Sequence, residues 1–342
     1  MKHFAGHNLA TLGGFGAILL WSSTIACVRR LSEDVGPLTA GAAVYSISAL
    51  IAGTMLLRTP QRWRAIWQLP RKYLVGASAL FAGYTLLLYL AIGHAHSREQ
   101  VLEVGLLNYL WPSLTLVLSL VILGAAANWV LIPGTFLALT GVFLVMTQDA
   151  HISWISLTHN AVNNPVVYLL AASAAVCWAL YSNLARKWAG GCQEGAVSIF
   201  LPVTALLLIA ISCGVNEPRH WTLRAGAELL FQGIATYASA ALWDQAMRHG
   251  NVTAVAAASY FTPLLSTLIS CFYLAVLPGP KLVIGCVVLI TGSVLSWYSV
   301  HSANHHPLSD CPWRSRQGRL QDAPQRQVRG GNAETEAQRQ IH

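Results

Sequence analysis

Long uninterrupted runs of apolar residues dominate the chain, and they predict helices that cross a membrane. A helix needs about 20 predominantly apolar residues to span the hydrocarbon core of a bilayer. Ten runs of about that length occur, and most connections between them are too short to hold a soluble domain. The predicted spans are residues 9–28, 36–57, 73–93, 100–123, 128–147, 165–187, 195–214, 224–247, 252–274 and 280–300. The fourth and eighth carry acidic side chains, so hydropathy supports these two assignments least.

The composition favours the same class of protein. Hydrophobic residues make up 55% of the chain and charged residues 10%, with a mean hydropathy of +0.51. A soluble domain has about 25% charged residues, so this chain has too few to cover its surface in water. Because the apolar residues form runs and do not alternate with polar ones, an outer-membrane β-barrel is excluded. We therefore expect an all-α polytopic membrane protein whose main partner is the lipid bilayer.

The positions of Lys and Arg predict the orientation of the chain. With ten spans and the N-terminus inside, the connection 58–72 and the tail 301–342 lie on the inner side and carry most of the positive charge. This placement accounts for the net charge of +8 without a nucleic-acid partner. We expect residues 1–8 and the tail to be cytoplasmic and the connection 148–164 to be periplasmic. The tail is rich in polar residues and is predicted to be disordered.

The two halves of the chain share three motifs in the same order. The matching pairs are Trp21…Arg29-Arg30 with Trp178…Arg186-Lys187, Tyr109-x-x-Pro112 with Tyr260-x-x-Pro263, and Leu131-x-x-Gly134…Thr140-Gly141 with Leu282-x-x-Gly285…Thr291-Gly292. The halves, 9–147 and 165–300, have five predicted spans each. An odd number of spans inverts the second half relative to the first. Two inverted five-helix repeats are typical of secondary transporters, which work by alternating access.

These features resemble a known family. Ten spans as five plus five, a proline in the fourth span of each half and glycines in the last spans are similar to the drug/metabolite transporter superfamily, in its EamA-type branch. The segment EVGLLNYLWP, from Glu103 to Pro112, resembles the aromatic amino acid exporters of bacterial inner membranes. The resemblance covers residues 9–300 and leaves out the tail. It implies an inner-membrane exporter of Phe, Tyr and Trp, and of related compounds such as methyl viologen.

Aromatic side chains well inside the spans are the candidate substrate-binding residues. They are Trp21, Tyr84, Tyr109, Trp111, Trp178, Tyr181, Tyr237 and Tyr260. A belt at the membrane surface does not account for them, although packing in the core or against lipid would. A cavity lined by such rings offers stacking for an aromatic substrate and a π face for its ammonium group. Asn108 is expected to bind the charged groups of the substrate.

Two prolines lie about halfway along spans four and nine, and we expect Pro112 and Pro263 to act as hinges. A proline inside a helix removes one backbone hydrogen bond, and the carbonyls expected to be freed here belong to Asn108 and Ser259. The alternative is a static kink, in which a neighbouring Ser or Thr satisfies the carbonyl.

Glu103 is an ionisable group about one turn inside its span, which makes it the candidate for energy coupling. The alternatives are a carboxylate that extends to the membrane surface or a structural pair with Arg98. On one continuous helix, Glu103 would share a face with Asn108 and Trp111. Proton coupling and facilitated diffusion both stay open. Asp244 is expected to pair with the nearby Arg248.

Motifs for other functions are missing from the sequence. It contains no phosphate-binding lysine loop, no HExxH motif and no zinc-like Cys/His spacing. We therefore expect no cofactor, no metal and no enzyme activity, and no obligatory protein partner. Two alternatives remain: a broad amino acid or drug exporter of the same superfamily, and, in a different class, a membrane enzyme or a sensor that uses the tail.

Overall fold

The computed structural model describes residues 2–147, 154–274 and 280–301, and nearly all of them are helical. The helices are α1 (Lys2–Val35), α2 (Pro37–Leu57), α3 (Pro60–Trp67), α4 (Ser78–Gly93), α5 (Arg98–Asn108), α6 (Trp111–Ile122), α7 (Leu131–Met146), α8 (Trp154–Asn163), α9 (Pro165–Ala189), α10 (Val197–Ser212), α11 (Leu223–His249), α12 (Val252–Ala258), α13 (Phe261–Leu274) and α14 (Pro280–Ser299). A π-helical segment, Lys72–Ala77, leads directly into α4. Two short strands, β1 (Ala126–Ala127) and β2 (Val300–His301), pair antiparallel.

Several of these helices are suited to crossing a membrane. Within the described ranges, five segments are long and apolar enough, and a sixth forms if the bent pair of α12 and α13 counts as one span. The five are Pro37–Leu57, Lys72–Gly93, Glu99–Ile122, Pro165–Ala189 and Pro280–Ser299. The protein is thus an all-α, multi-pass membrane protein, whereas ten spans stay a prediction. Helices α7 and α10 are apolar but shorter.

The outward-facing side chains are apolar as well. More than half of the surface of Leu50, Val121, Ile132, Leu169 and Leu223 is exposed. Large apolar surfaces of this kind are rare on monomeric soluble proteins and mark contact with a membrane or a partner. These side chains lie on five different segments of the fold, so the natural solvent around the helices is lipid.

Two short helices lie in regions that the hydropathy pattern predicted to be connections between spans. Helix α3 lies between α2 and the π-helical segment, and α8 lies inside the predicted periplasmic connection 148–164. Residues 148–153 of that connection are outside the described residues. The predicted disordered tail 301–342 is also outside them, except for the backbone of His301, which pairs with Ala126 in the two-stranded sheet.

The fourth and ninth predicted spans are each broken at equivalent places. Helix α5 ends at Asn108 and α6 begins at Trp111, and the gap between α12 and α13 falls before Phe261. The helices on either side of the second break are bent by 42°. Pro112 and Pro263 lie in the first turn after each break, where backbone amides have no intrahelical acceptor, so a proline is tolerated there.

The expectation of a free carbonyl at Ser259 is wrong. The backbone amide of Thr262 donates to this carbonyl at 3.1 Å and the Thr262 hydroxyl donates at 2.8 Å. The Thr262 carbonyl in turn accepts the hydroxyl of Ser22 at 3.3 Å. Because a threonine one turn away satisfies the backbone, the alternative of a carbonyl bonded by a neighbouring Ser or Thr applies at this break.

The most extensive helix contacts join the first half of the chain to the second. In the described residues, α1 packs on α11, α2 on α10, α4 on α9, and α7 on α14. A core of buried aromatic and small residues fills the space between α1, α4, α6, α9 and α11. The two halves therefore form one interlocked bundle and not two separate domains.

Candidate functional site

Four tryptophans from four helices meet in the core of the bundle. They are Trp21 of α1, Trp111 of α6, Trp178 of α9 and Trp243 of α11, and we call them the tryptophan cluster. All pairs of rings are in contact, with centroids between 5.0 and 6.4 Å apart. These separations are in the favourable range for aromatic pairs. Sequence reasoning identified three of the members and missed Trp243.

More aromatic rings extend this cluster on the side of Trp178. The ring of Tyr84 lies 4.5 Å from that of Trp178, Tyr181 lies at 5.3 Å and Phe81 at 5.8 Å. Tyr237 packs against the same core and is partly buried. The structure thus brings Trp21, Tyr84, Trp111, Trp178, Tyr181 and Tyr237 of the predicted set into one region.

Two buried polar atoms in this region have no hydrogen-bond partner among the described residues. They are Nε1 of Trp178 and Oδ1 of Asn108. Tyr84 connects them, because its ring contacts Trp178 and its hydroxyl interacts with the side chain of Asn108. By contrast, Nε1 of Trp243 donates to the Ser182 hydroxyl at 3.3 Å. Unpaired buried polar groups are costly, so these two atoms beside the aromatic cluster are candidate contacts for a ligand.

Three of the predicted site tyrosines have other neighbours. The hydroxyl of Tyr181 donates to Asp244 at 3.0 Å, although its ring contacts the tryptophan cluster. Tyr260 is fully buried in a different core, with its hydroxyl 2.5 Å from that of Ser113. Tyr109 packs against that second core. Their role in substrate binding stays a prediction.

Glu103 lies at the junction of α5, α8 and α9 and is fully buried. Asn160 donates to both of its carboxylate oxygens at 3.2 Å, and the Tyr168 hydroxyl also donates to it. The alternative of a carboxylate that extends to the surface is therefore wrong. The break at the end of α5 separates Glu103 from Trp111, so the continuous helical face that would have joined them does not form.

The predicted ion pair of Asp244 with Arg248 is confirmed and is buried. Arg248 Nε donates to Asp244 Oδ2 at 2.8 Å, and the two side chains are 4% and 1% exposed. Tyr73 donates to Asp244 Oδ1 at 2.7 Å, beside the bond from Tyr181. Arg248 also donates from Nη1 to the Cys192 carbonyl at 2.7 Å. Sequence spacing predicted the pair, but it gave no signal for Tyr73, which lies 171 positions away.

A polar cavity of about 190 Å³ adjoins this ion pair. It lies between α3, the connection before α10 and the last turns of α11. A second ion pair lies in its wall, with Arg62 Nε 3.2 Å from Glu194 Oε2. The remaining polar residues that line it are Gln193, Ser198, Tyr237 and Gln245.

Comparisons with known proteins agree with this architecture. The profile of the EamA-like transporter family matches the chain twice, over residues 8–147 and 165–298. The aromatic amino acid exporters YddG of Salmonella typhimurium and of Escherichia coli are each 34% identical over 289 residues, which cover 84% of this chain and 96% of each relative. The aromatic amino acid exporter YddG of Ancylobacter novellus is 30% identical, with the same coverage.

One solved crystal structure has a TM-score of 0.70 to this chain at 25% identity, over 84% of this chain and 96% of the other. The two family matches together cover most of the chain, and they include all of the residues that form the tryptophan cluster. The chain therefore belongs to the EamA-like transporter family.

Proposed function

We propose that this protein exports aromatic amino acids, namely Phe, Tyr and Trp, from the cytoplasm across a bacterial inner membrane. The tryptophan cluster with its two unpaired polar atoms is the observation that carries the proposal. Indole rings offer stacking surfaces, and a well-placed aromatic pair contributes about 0.5–1.5 kcal/mol beyond the burial of area. Nε1 of Trp178 is a donor for a carboxylate, and Oδ1 of Asn108 is an acceptor for an ammonium group. The relatives named as aromatic amino acid exporters support the same substrate class.

The transport cycle follows from two inverted repeats, 9–147 and 165–300, that rock against each other. Two separate family matches support this division of the chain. The helix packing supports it too. If each helix is exchanged for its counterpart in the other half, the pair α1–α11 becomes α9–α4, and the pairs α2–α10 and α7–α14 map onto themselves. The breaks before Pro112 and Pro263 serve as the hinges, because flanking helices can change their angle where the helical hydrogen bonding is interrupted. The bonds from Thr262 satisfy the Ser259 carbonyl but do not restore a continuous helix at the second break.

Glu103 is the candidate for coupling energy to transport, and facilitated diffusion down the substrate gradient is the alternative. Its hydrogen-bond donors, Asn160 and Tyr168, lie on α8 and α9, whereas Glu103 itself lies on α5 of the first repeat. Rocking of the repeats would change these contacts. We place both termini in the cytoplasm and residues 148–164 in the periplasm. Transport in this scheme is physical movement of an unmodified solute, and no enzymatic step is needed.

The experiment that tests this function is counterflow of labelled Phe in liposomes that contain the purified protein. Unlabelled Phe and Trp should compete strongly, whereas Thr and Ala should compete weakly, because neither presents a ring to the tryptophan cluster. Equal competition by Thr and Ala would favour the broad amino acid or drug exporter. Chemical conversion of the label would favour the membrane enzyme.

Trp178→Phe should separate substrate recognition from protein stability. The substitution keeps an aromatic wall but removes the indole N–H, which has no partner within the described protein. We expect the KM for Phe to rise about tenfold to a hundredfold, the equivalent of one hydrogen bond to a charged group, which is worth about 1.5–3 kcal/mol. The matched control is Trp243→Phe, because the indole N–H that this substitution removes donates to Ser182 and not to a ligand. An unchanged KM in Trp178→Phe would exclude the indole N–H as a substrate contact.

A further inference from the structure

The polar cavity lies immediately next to the tryptophan cluster. Asp244 in its wall follows Trp243 directly in the chain. Tyr181 bonds Asp244 through its hydroxyl and contacts Trp178 through its ring, at a centroid distance of 5.3 Å. Tyr237 both lines the cavity and packs against the aromatic core. A ligand in the cavity is therefore separated from the aromatic site by a single layer of side chains.

The walls of the cavity present both signs of charge. Arg248 uses Nε for Asp244 and Nη1 for the Cys192 carbonyl, and no hydrogen bond from its Nη2 to another described residue is found. A Cβ at Gly195 would collide with Asp244 Oδ2 and would lie 2.7 Å from this Nη2 atom, so the glycine leaves room for both charged groups of the ion pair in the cavity wall. Nη2 is thus a guanidinium donor available to a carboxylate.

Glu194, which also lines the cavity, offers a carboxylate. Its side chain is 34% exposed and its partner Arg62 is 50% exposed. Ion pairs this exposed contribute at most about 1 kcal/mol, so a ligand ammonium group can replace Arg62 at little cost. The cavity volume of about 190 Å³ equals about six water molecules at about 30 Å³ each. That is enough for the ammonium, α-carbon and carboxylate of one amino acid.

We propose that this cavity is a loading site, which binds the charged backbone of an amino acid before its ring enters the tryptophan cluster. The carboxylate binds at Arg248 and the ammonium group binds at Glu194. The proposal rests on the proposed export function, because the connection 58–72, which contains Arg62, is expected at the cytoplasmic face from which an exporter takes its substrate. Recognition then has two steps: the loading site binds the ammonium and carboxylate groups, and the aromatic site binds the ring.

The test is protection of an introduced thiol in the cavity wall. Ser198→Cys places a thiol there, and its alkylation by N-ethylmaleimide is measured in full-length protein in lipid nanodiscs with and without ligand. Cys213 is free and exposed outside the cavity, so it is an internal control whose alkylation should not change. L-Phe should slow alkylation of the introduced thiol. Phenethylamine lacks the carboxylate and 3-phenylpropionate lacks the ammonium group. Each should need about a tenfold higher concentration than L-Phe to give the same protection of the thiol.

Two further variants in the same background distinguish a binding role from a structural one, because each breaks the Arg62–Glu194 pair. Glu194→Gln should weaken protection by L-Phe about tenfold and leave protection by 3-phenylpropionate unchanged. Arg62→Gln should keep or improve protection by L-Phe, because it leaves the carboxylate of Glu194 free for the ligand. Equal losses of protection by L-Phe in both variants would overturn the loading site. Equal protection of the thiol by L-Phe, phenethylamine and 3-phenylpropionate would overturn it as well.

Phe counterflow in the same Ser198→Cys protein distinguishes a failure of this proposal from a failure of the export function. If labelled Phe is exchanged but the thiol is not protected, the loading site is wrong and aromatic export stands. If L-Phe protects the thiol but is not transported, the export function is wrong and a binding site for amino acids remains.

Discussion

Asp244→Ala should remove most of the correctly folded protein. The substitution leaves the guanidinium of Arg248 buried without its counter-charge and deprives Tyr73 and Tyr181 of their acceptor. Breaking a buried ion pair by removing one partner costs about 3–5 kcal/mol, a large fraction of the stability of a folded protein. The measurement is the yield of monodisperse protein in size-exclusion chromatography, with the unfolding temperature in detergent.

A matched control exists on the same helix. Arg224 and Glu228 are also spaced i,i+4 on α11, with side chains that are 60% and 15% exposed, so Arg224→Gln should cost less stability than Asp244→Ala. The double variant Asp244→Asn with Arg248→Met removes both charges, so its loss of stability should be smaller than the sum of the losses in the two single variants. If Asp244→Ala were as stable as Arg224→Gln, the buried pair would have no structural role.

Gly292→Ala should be the most disruptive glycine substitution in the bundle. A Cβ atom at this position of α14 would lie 2.1 Å from the backbone nitrogen of Ala138 on α7. The reciprocal change, Gly141→Ala, would place a Cβ 2.4 Å from the Cα of Leu289. Because the obstructing atoms are backbone, the helices must move apart, and overpacking of this kind costs about 1–3 kcal/mol or more. A drop in unfolding temperature and in folded yield is the expected readout for each variant.

Gly226→Ala is the control for this packing argument, and its effect on the unfolding temperature should have the opposite sign. Nothing lies within 4 Å of a Cβ at position 226 on α11. Alanine is the better helix former by about 1 kcal/mol, so this variant should keep or raise the unfolding temperature. Equal losses in Gly226→Ala and Gly292→Ala would contradict the explanation that the close contact of α7 with α14 governs the effect.

Much of the secondary structure was predictable from the sequence because the bilayer restricts the choices. A chain in lipid must satisfy its backbone hydrogen bonds internally, so long apolar runs become helices. The paired motifs Tyr109-x-x-Pro112 and Tyr260-x-x-Pro263 marked the two broken segments. The two Thr-Gly motifs contain Gly141 and Gly292, where α7 and α14 approach most closely. Each of these features depends on residues close together in the chain.

Part of the candidate site was predictable for the same reason. Trp21, Trp111 and Trp178 stood out because tryptophans well inside a span are unusual, and the structure brings their rings together. The pair of Asp244 with Arg248 followed from the helical spacing of four residues.

Contacts across the bundle depended on the tertiary structure, because hydropathy shows that a helix is buried but not which neighbour each side chain faces. Packing of α11 against α1 and α9 brought Trp243 into the tryptophan cluster. Packing of α9 on α11 joined Tyr181 to Asp244, which directed the Tyr181 hydroxyl away from the predicted substrate site, and Tyr73 bonds the same carboxylate from the π-helical segment. Packing of α5 against α8 and α9 placed Glu103 beside its donors. Local sequence thus determined which segments are helical, and long-range packing decided which side chains form the sites, since hydrogen-bond and ring partners more than 60 positions apart leave no periodic signal in a single sequence.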